Sequence, residues 1–187
     1  VACNTASSLA LEEIRKVFES AEIDEPIINY LLAVSAFSQR AYDQAESDLQ
    51  KILALSADHG PTLLLSGSVS FAKREFEEAT VYLEKYIANH PENSDARKLL
   101  GRVYMALGQN DDAQREFTAA LKDKVDDPEL IALMGLSEFD GGDREAGIAE
   151  LEKALQLEPE SDSLKLQMVR AYTVNKQHDK ALDLLDE

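Results

Sequence analysis

Ser94-Asp95-Ala96-Arg97-Lys98-Leu99-Leu100-Gly101-Arg102-Val103-Tyr104-Met105-Ala106-Leu107-Gly108-Gln109-Asn110-Asp111-Asp112-Ala113-Gln114-Arg115-Glu116-Phe117-Thr118-Ala119-Ala120 reads as two short amphipathic helices joined by a tight turn. Small residues (Gly101, Ala113, Ala120) stand where two helices would touch, and bulky ones (Leu100, Tyr104, Phe117) lie one turn away. The stretch recurs when it is slid along the chain by 34 residues. Ala113 has counterparts at Ala45, Ala79, Gly147 and Ala181; Phe117 at Leu49, Leu83, Leu151 and Leu185; Gly101 at Ala33, Gly67, Gly135 and Val169. A fixed period of this size means a repeat array, in which each unit packs only on its neighbours.

Composition agrees with a helical array. The chain of 187 residues has no Trp, five Pro and a formal net charge of −17. Phosphate binding needs a clustered basic surface, so nucleic acid is disfavoured as a partner, as is an anionic membrane surface. Cys3 is the only cysteine, which excludes an intrachain disulfide and a cysteine-based metal site. No stretch approaches the ~18–20 apolar residues of a membrane span. Val1-Ala2-Cys3 faintly resembles the end of a lipoprotein signal, and any targeting sequence is expected upstream of the residues given. A start without Met and a stop inside the last unit lead us to expect a piece of a longer chain.

Residues 1–25 are expected to hold a tail and the remnant helix of an upstream unit, near Ser8–Ser20, with Leu9, Ile14, Val17 and Phe18 at helical spacing. The array then runs over 26–187, in units 26–59, 60–93, 94–127, 128–161 and an incomplete 162–187. Helices are predicted near 26–39, 42–55, 61–73 and 76–89. Pro26, Pro61 and Pro128 suit first helical turns, where a missing N–H costs nothing. Gly108 is expected to end one helix, with Asn110 and Asp127 as caps of the next two. The fourth unit departs from the pattern: it holds Gly135, Gly141, Gly142 and Gly147, and Glu138 replaces Tyr104. An interior helix Gly costs ~1 kcal/mol relative to Ala, so this is expected to be the softest joint unless the glycines serve close packing.

The spacing Leu-Gly-x-x-Tyr…Ala-x-x-x-Phe-x-x-Ala, in phase from Pro26 to the C-terminus, resembles the tetratricopeptide repeat (TPR). The fold expected is an all-α solenoid of antiparallel helix pairs with a 34-residue period, and the resemblance implies a right-handed superhelix. Leu63-Leu64-Leu65-Ser66-Gly67 and Ala96-Arg97-Lys98-Leu99-Leu100-Gly101 further resemble the TPR lipoproteins of bacterial PEP-CTERM/exosortase exopolysaccharide systems. That kinship implies a lipid-anchored periplasmic parent and a role in assembly for export or sorting; without it the expected compartment is the cytoplasm.

The TPR resemblance implies that one face of each unit's first helix lines a concave groove for a protein or peptide. In register, that face comprises Ile27, Tyr30, Val34 and Phe37; Leu64, Ser68 and Phe71; Lys98, Arg102 and Met105; Ala132, Leu136 and Phe139; and Leu166, Arg170 and Thr173. Phe37, Phe71, Met105 and Phe139 form a column at the repeat period. Its rings either make a ladder of contacts along the groove or bury themselves between helices. Lys98, Arg102 and Arg170 would hold a carboxylate of the ligand, unless they are ordinary solvated charge. The carboxylate clamp of chaperone-binding TPR domains needs Lys and Asn at successive groove positions, which Tyr30/Val34 and Leu64/Ser68 do not supply.

Chemistry has little foothold. His59, His90 and His178 are too scattered along the chain to share a metal, no cofactor motif occurs, and Gly141-Gly142-Asp143 is a turn before a cap rather than a phosphate loop. A catalytic role would need carboxylate pairs with raised pKa, for which Asp95, Glu129 and Asp140 are the candidates. The function expected is a protein-binding scaffold and not an enzyme; the alternative is a spacer within a longer array. Uncovered apolar ends also make self-association an expected behaviour.

Overall fold

In a computed structural model, residues 13, 16, 24–122 and 124–186 are described. The helix expected near Ser8–Ser20 lies outside them, apart from Glu13 and Lys16, which are helical. Ten helices are described among these residues: α1 (Glu25–Ser38), α2 (Tyr42–Leu55), α3 (Gly60–Lys73), α4 (Phe76–Asn89), α5 (Ser94–Ala106), α6 (Asn110–Leu121), α7 (Pro128–Gly141), α8 (Arg144–Leu157), α9 (Asp162–Val174) and α10 (His178–Asp186). No strand occurs among the described residues. The helices fall into two compact units, Val1–His90 and Pro91–Glu187. In each unit, successive helices pack as antiparallel hairpins, which is the solenoid architecture expected.

The helices begin where the chain offers a cap or a proline. Pro26, Pro61 and Pro128 sit in the first turns of α1, α3 and α7. Asn93 Oδ1 accepts from the Ala96 amide at 2.9 Å, and Asp127 Oδ1 from the Leu130 amide at 3.0 Å. Asn110 does not act as the expected cap. It is already inside α6, preceded by Gln109, and its carbonyl accepts the hydroxyl of the buried Ser137 at 3.0 Å.

The first helix of every pair ends in the same way. Arg40, Arg74, Gly108, Gly142 and Lys176, spaced at the repeat period, all have positive φ, between 60° and 110°. Each reversal lets the next amide reach back to a carbonyl in the last turn: Ala41 to Ala36, Glu75 to Ser70, Gln109 to Tyr104, Asp143 to Glu138 and Gln177 to Tyr172, at 2.8–3.0 Å. This six-residue bond marks the Schellman motif, which satisfies carbonyls the helix leaves open.

The core repeats with the same period. Ala45, Ala79 and Ala113 are fully buried beneath Leu49, Leu83 and Phe117, one turn on. A Cβ built on Gly67 would stand 2.6 Å from Leu83 Cγ, and one on Gly101 2.4 Å from the Phe117 ring. The α7–α8 pair is tighter still. A Cβ on Gly147 would meet the Gly135 carbonyl oxygen at 2.5 Å, and one on Gly135 would meet the Gly147 carbonyl oxygen at 2.8 Å. The glycines of this pair therefore serve close packing of two backbones, the alternative to a hinge.

Candidate functional site

Within the first unit, the face predicted to line the groove lies on α1 and α3. Tyr30 from α1 and Leu64 and Ser68 from α3 line one cavity of about 420 Å³, together with Tyr86 and His90. Aromatic contacts fix its walls: Tyr30 meets His59 edge-on at 6.4 Å, and Tyr86 stacks on His90 at 4.6 Å. His59 Nδ1 and the Thr62 hydroxyl share a 2.6 Å hydrogen bond. The Ser68 hydroxyl donates to the Leu64 carbonyl at 2.9 Å, so it is occupied in closing the helix. Val34 is exposed beyond the cavity.

The column Phe37, Phe71, Met105 and Phe139 does not stand out as an open ladder. The first three are half-buried, and Phe139 is 8% exposed. Each ring turns onto the residue that opens the second helix of its own pair. Phe37 lies 5.8 Å from Tyr42, Phe71 lies 5.9 Å from Phe76, and the Arg144 guanidinium sits 5.7 Å from the Phe139 centroid. The physical reason is the tight turn, which brings a residue and its fifth successor side by side. Phe139 thus follows the second alternative for the column, a ring buried between helices.

Within the second unit, α5, α7 and α9 carry the corresponding face. Arg102 and Arg170 are exposed, and Leu136 is half-buried. The Lys98 ammonium pairs with the exposed Glu129 at 2.8 Å. A hollow of about 840 Å³ opens in this unit between the turn before α7 and the start of α9. Leu133 and Leu164 contribute apolar lining; Arg102 and Lys124 face four carboxylates, Asp126, Asp127, Glu129 and Glu158. Apart from Arg102, these residues stand outside the predicted face. No motif marks them: Lys124, Asp126, Asp127 and Glu158 stand in the turns between pairs, and Leu133 and Leu164 within α7 and α9.

Two of the three carboxylates considered for catalysis, Asp95 and Glu129, are engaged by lysines. The hydrogen bond from Lys124, at 2.8 Å, holds the Asp95 carboxyl below its ordinary range, and Glu129 is engaged by Lys98. Elsewhere, Glu46, Glu75 and Glu78 approach one another closely enough to hold a cation. Lys73 already supplies one, with Nζ 2.7 Å from Glu46 and 3.1 Å from Glu75. Among the described residues, no helix is long and apolar enough to cross a membrane.

Antiparallel helix pairs at a fixed period, each closed by the same reversal and offering a face of first helices, define a helix-repeat solenoid. The tetratricopeptide repeat profile matches residues 70–136 and 138–187, more than half of the chain, and the chain belongs to the tetratricopeptide repeat family. A curated relative, anaphase-promoting complex subunit 3 of Schizosaccharomyces pombe, is 24% identical over 160 residues, covering 85% of this chain. The chain spans only 24% of that relative's length. Among solved structures, MamA residues 41-end from Desulfovibrio magneticus RS-1 is similar with a TM-score of 0.80 at 17% identity, over 88% of this chain and 93% of that one. YrrB, a TPR protein with an unusual peptide-binding site, is similar with a TM-score of 0.73 at 22% identity, over 94% and 90%. At these identities the likeness is one of fold. Tetratricopeptide repeat proteins are in general non-enzymatic scaffolds for protein–protein interaction. The narrower kinship to exosortase-system lipoproteins finds no support in these relatives.

Proposed function

We propose that the chain binds a segment of a protein or peptide along the face of its first helices. The observation that carries this reading is the convergence of Tyr30, Leu64 and Ser68, from two successive first helices, on one cavity. Concave, mostly apolar hollows with a few polar groups are the usual form of recognition sites. Val34, Leu136, Arg102 and Arg170 extend the surface in their own units, with half-buried Phe37, Phe71 and Met105 adding apolar edges. Phe139, being buried, serves the site by packing alone. A role as assembly factor in exopolysaccharide export or sorting rests on the sequence resemblance, and belongs to this proposal only as its most specific form.

The test is an affinity capture from the source cell's soluble and envelope fractions. The wild type runs beside Val34→Asp/Leu166→Asp, which alters two exposed first-helix positions, 41% and 67% exposed. A partner lost by the still-helical variant supports the groove. A partner retained by both moves binding off this face, and capture of nothing at any salt concentration favours a spacer.

A further inference from the structure

The hollow of the second unit has a chemical preference that its counterpart in the first unit lacks. The cavity around Tyr30 and Leu64 has no Asp, Glu, Lys or Arg among its described lining residues, which therefore favour no sign of charge. The hollow before α7 and α9 presents two cations against four carboxylates. Both lysines beside it are already engaged, Lys98 by Glu129 and Lys124 by Asp95, each at 2.8 Å. Asp126 and Glu158 stand exposed on its lining. Helix N-termini by themselves favour anions. Here Asp127 and Glu129 at α7 and Asp162 at α9 already answer that preference from within the chain. The apolar part of the lining, Leu133 and Leu164, continues into Val125, which is 68% exposed.

From this juxtaposition of an acidic rim and an apolar floor, we infer that the hollow receives a Lys or Arg side chain of a bound segment whose neighbouring side chains are apolar. The inference rests on the groove reading above and reverses the sign of ligand expected from Lys98, Arg102 and Arg170 alone. Asp126 and Glu158 meet the cation, while Leu133, Leu164 and Val125 take the flanking apolar groups. The net charge of −17 steers such a segment toward the chain, and the hollow fixes where it settles.

Fluorescence anisotropy with the 187-residue chain reads this directly. The probes are three labelled peptides of one length, in which leucine and alanine are interspersed with lysine, glutamine or glutamate. The lysine peptide should bind at least about tenfold more tightly than the glutamine peptide, and the advantage should shrink with added salt. Asp126→Asn/Glu158→Gln should abolish that advantage. Glu77→Gln/Glu145→Gln, which neutralises two exposed carboxylates outside the hollow, should keep most of it. Equal losses in both double variants would reduce the effect to diffuse attraction and overturn the inference, as would tightest binding of the glutamate peptide. Binding that survives Asp126→Asn/Glu158→Gln but is lost in Val34→Asp/Leu166→Asp would overturn the hollow and leave the groove standing. Failure of all three peptides would overturn the hollow's preference, while the affinity capture decides the groove separately.

Discussion

Glu138 on α7 and Glu150 on α8 set two carboxyl groups against each other inside a packed helix pair. Burial, then repulsion from Glu150 and Asp143, pushes the Glu138 acid above its ordinary range. One oxygen of each, Oε2, is buried and accepts no hydrogen bond. The equivalent positions of Glu138 carry Ala36, Ser70, Tyr104 and Tyr172, none of them a carboxylate.

A raised acid pKa favours the protonated form in the folded state. The contribution of Glu138 is therefore most favourable below the unfolded carboxylate range and is lost as pH rises through its folded value. Glu138→Gln should raise the urea midpoint at pH 7 and flatten its fall as pH rises above the ordinary glutamate value of 4.5. Parallel midpoint-against-pH curves for the two proteins would refute the assignment.

At the helix reversals, three cationic residues hold a conformation suited to glycine. Arg40, Arg74 and Lys176 have φ of 60°, 66° and 62°, where Gly108 and Gly142 stand in the other pairs. Arg74→Gly and Lys176→Gly should each stabilise by about 0.5–1 kcal/mol, the relief of left-handed strain less the entropy of a freer unfolded chain. Gly108→Arg should destabilise by a similar amount. Thermal melts of the single variants check both signs.

Gly147→Ala should destabilise by about 1–3 kcal/mol, although alanine stands at the equivalent Ala45, Ala79, Ala113 and Ala181 and improves helix propensity. The added methyl would lie 2.5 Å from the Gly135 carbonyl and 2.7 Å from the backbone nitrogen of Phe139, neither of which can rotate away. An unchanged or raised denaturant midpoint would show that the helices part at little cost.

Lys73 gathers Glu46, Glu75 and Asp43 at 2.7–3.2 Å, and these partners push its own pKa up. Its ammonium therefore remains charged across the neutral range, and its contribution is lost only as pH rises into the strongly alkaline region. Lys73→Met should destabilise by on the order of 1 kcal/mol at pH 7. Lys73→Arg should recover most of the loss, and urea titrations of the two variants separate the charge from a simple packing loss.

Much of the helix layout is legible in the chain. Prolines at 26, 61 and 128 and the glycine at 108 punctuate it, and the small residues at the repeat period mark the contacts. The reversals at Arg40, Arg74 and Lys176 are not legible, because a cation carries no cue for positive φ; the repeat imposes it. The fate of the Phe37 column depends on what stands five residues later, and Asn110 looked like a cap because the turn is one residue shorter than its chemistry suggests. For the site, Tyr30, Leu64 and Ser68 could be placed by register alone. Lys98 could not, since its partner Glu129 lies 31 residues away and meets it only through helix packing.

Contacts that join one pair to the next also make the order of the pairs matter. Tyr172 donates its hydroxyl to Glu152 at 2.7 Å, tying α9 to α8. A copy of α7–α8 spliced in place of α9–α10 would set Glu138 against Glu152, acid upon acid. A copy of α1–α2 in place of α3–α4 would put Gln39 where Lys73 gathers its carboxylates. Units that look interchangeable by period are thus addressed to their neighbours, and the array reads in one sequence of parts.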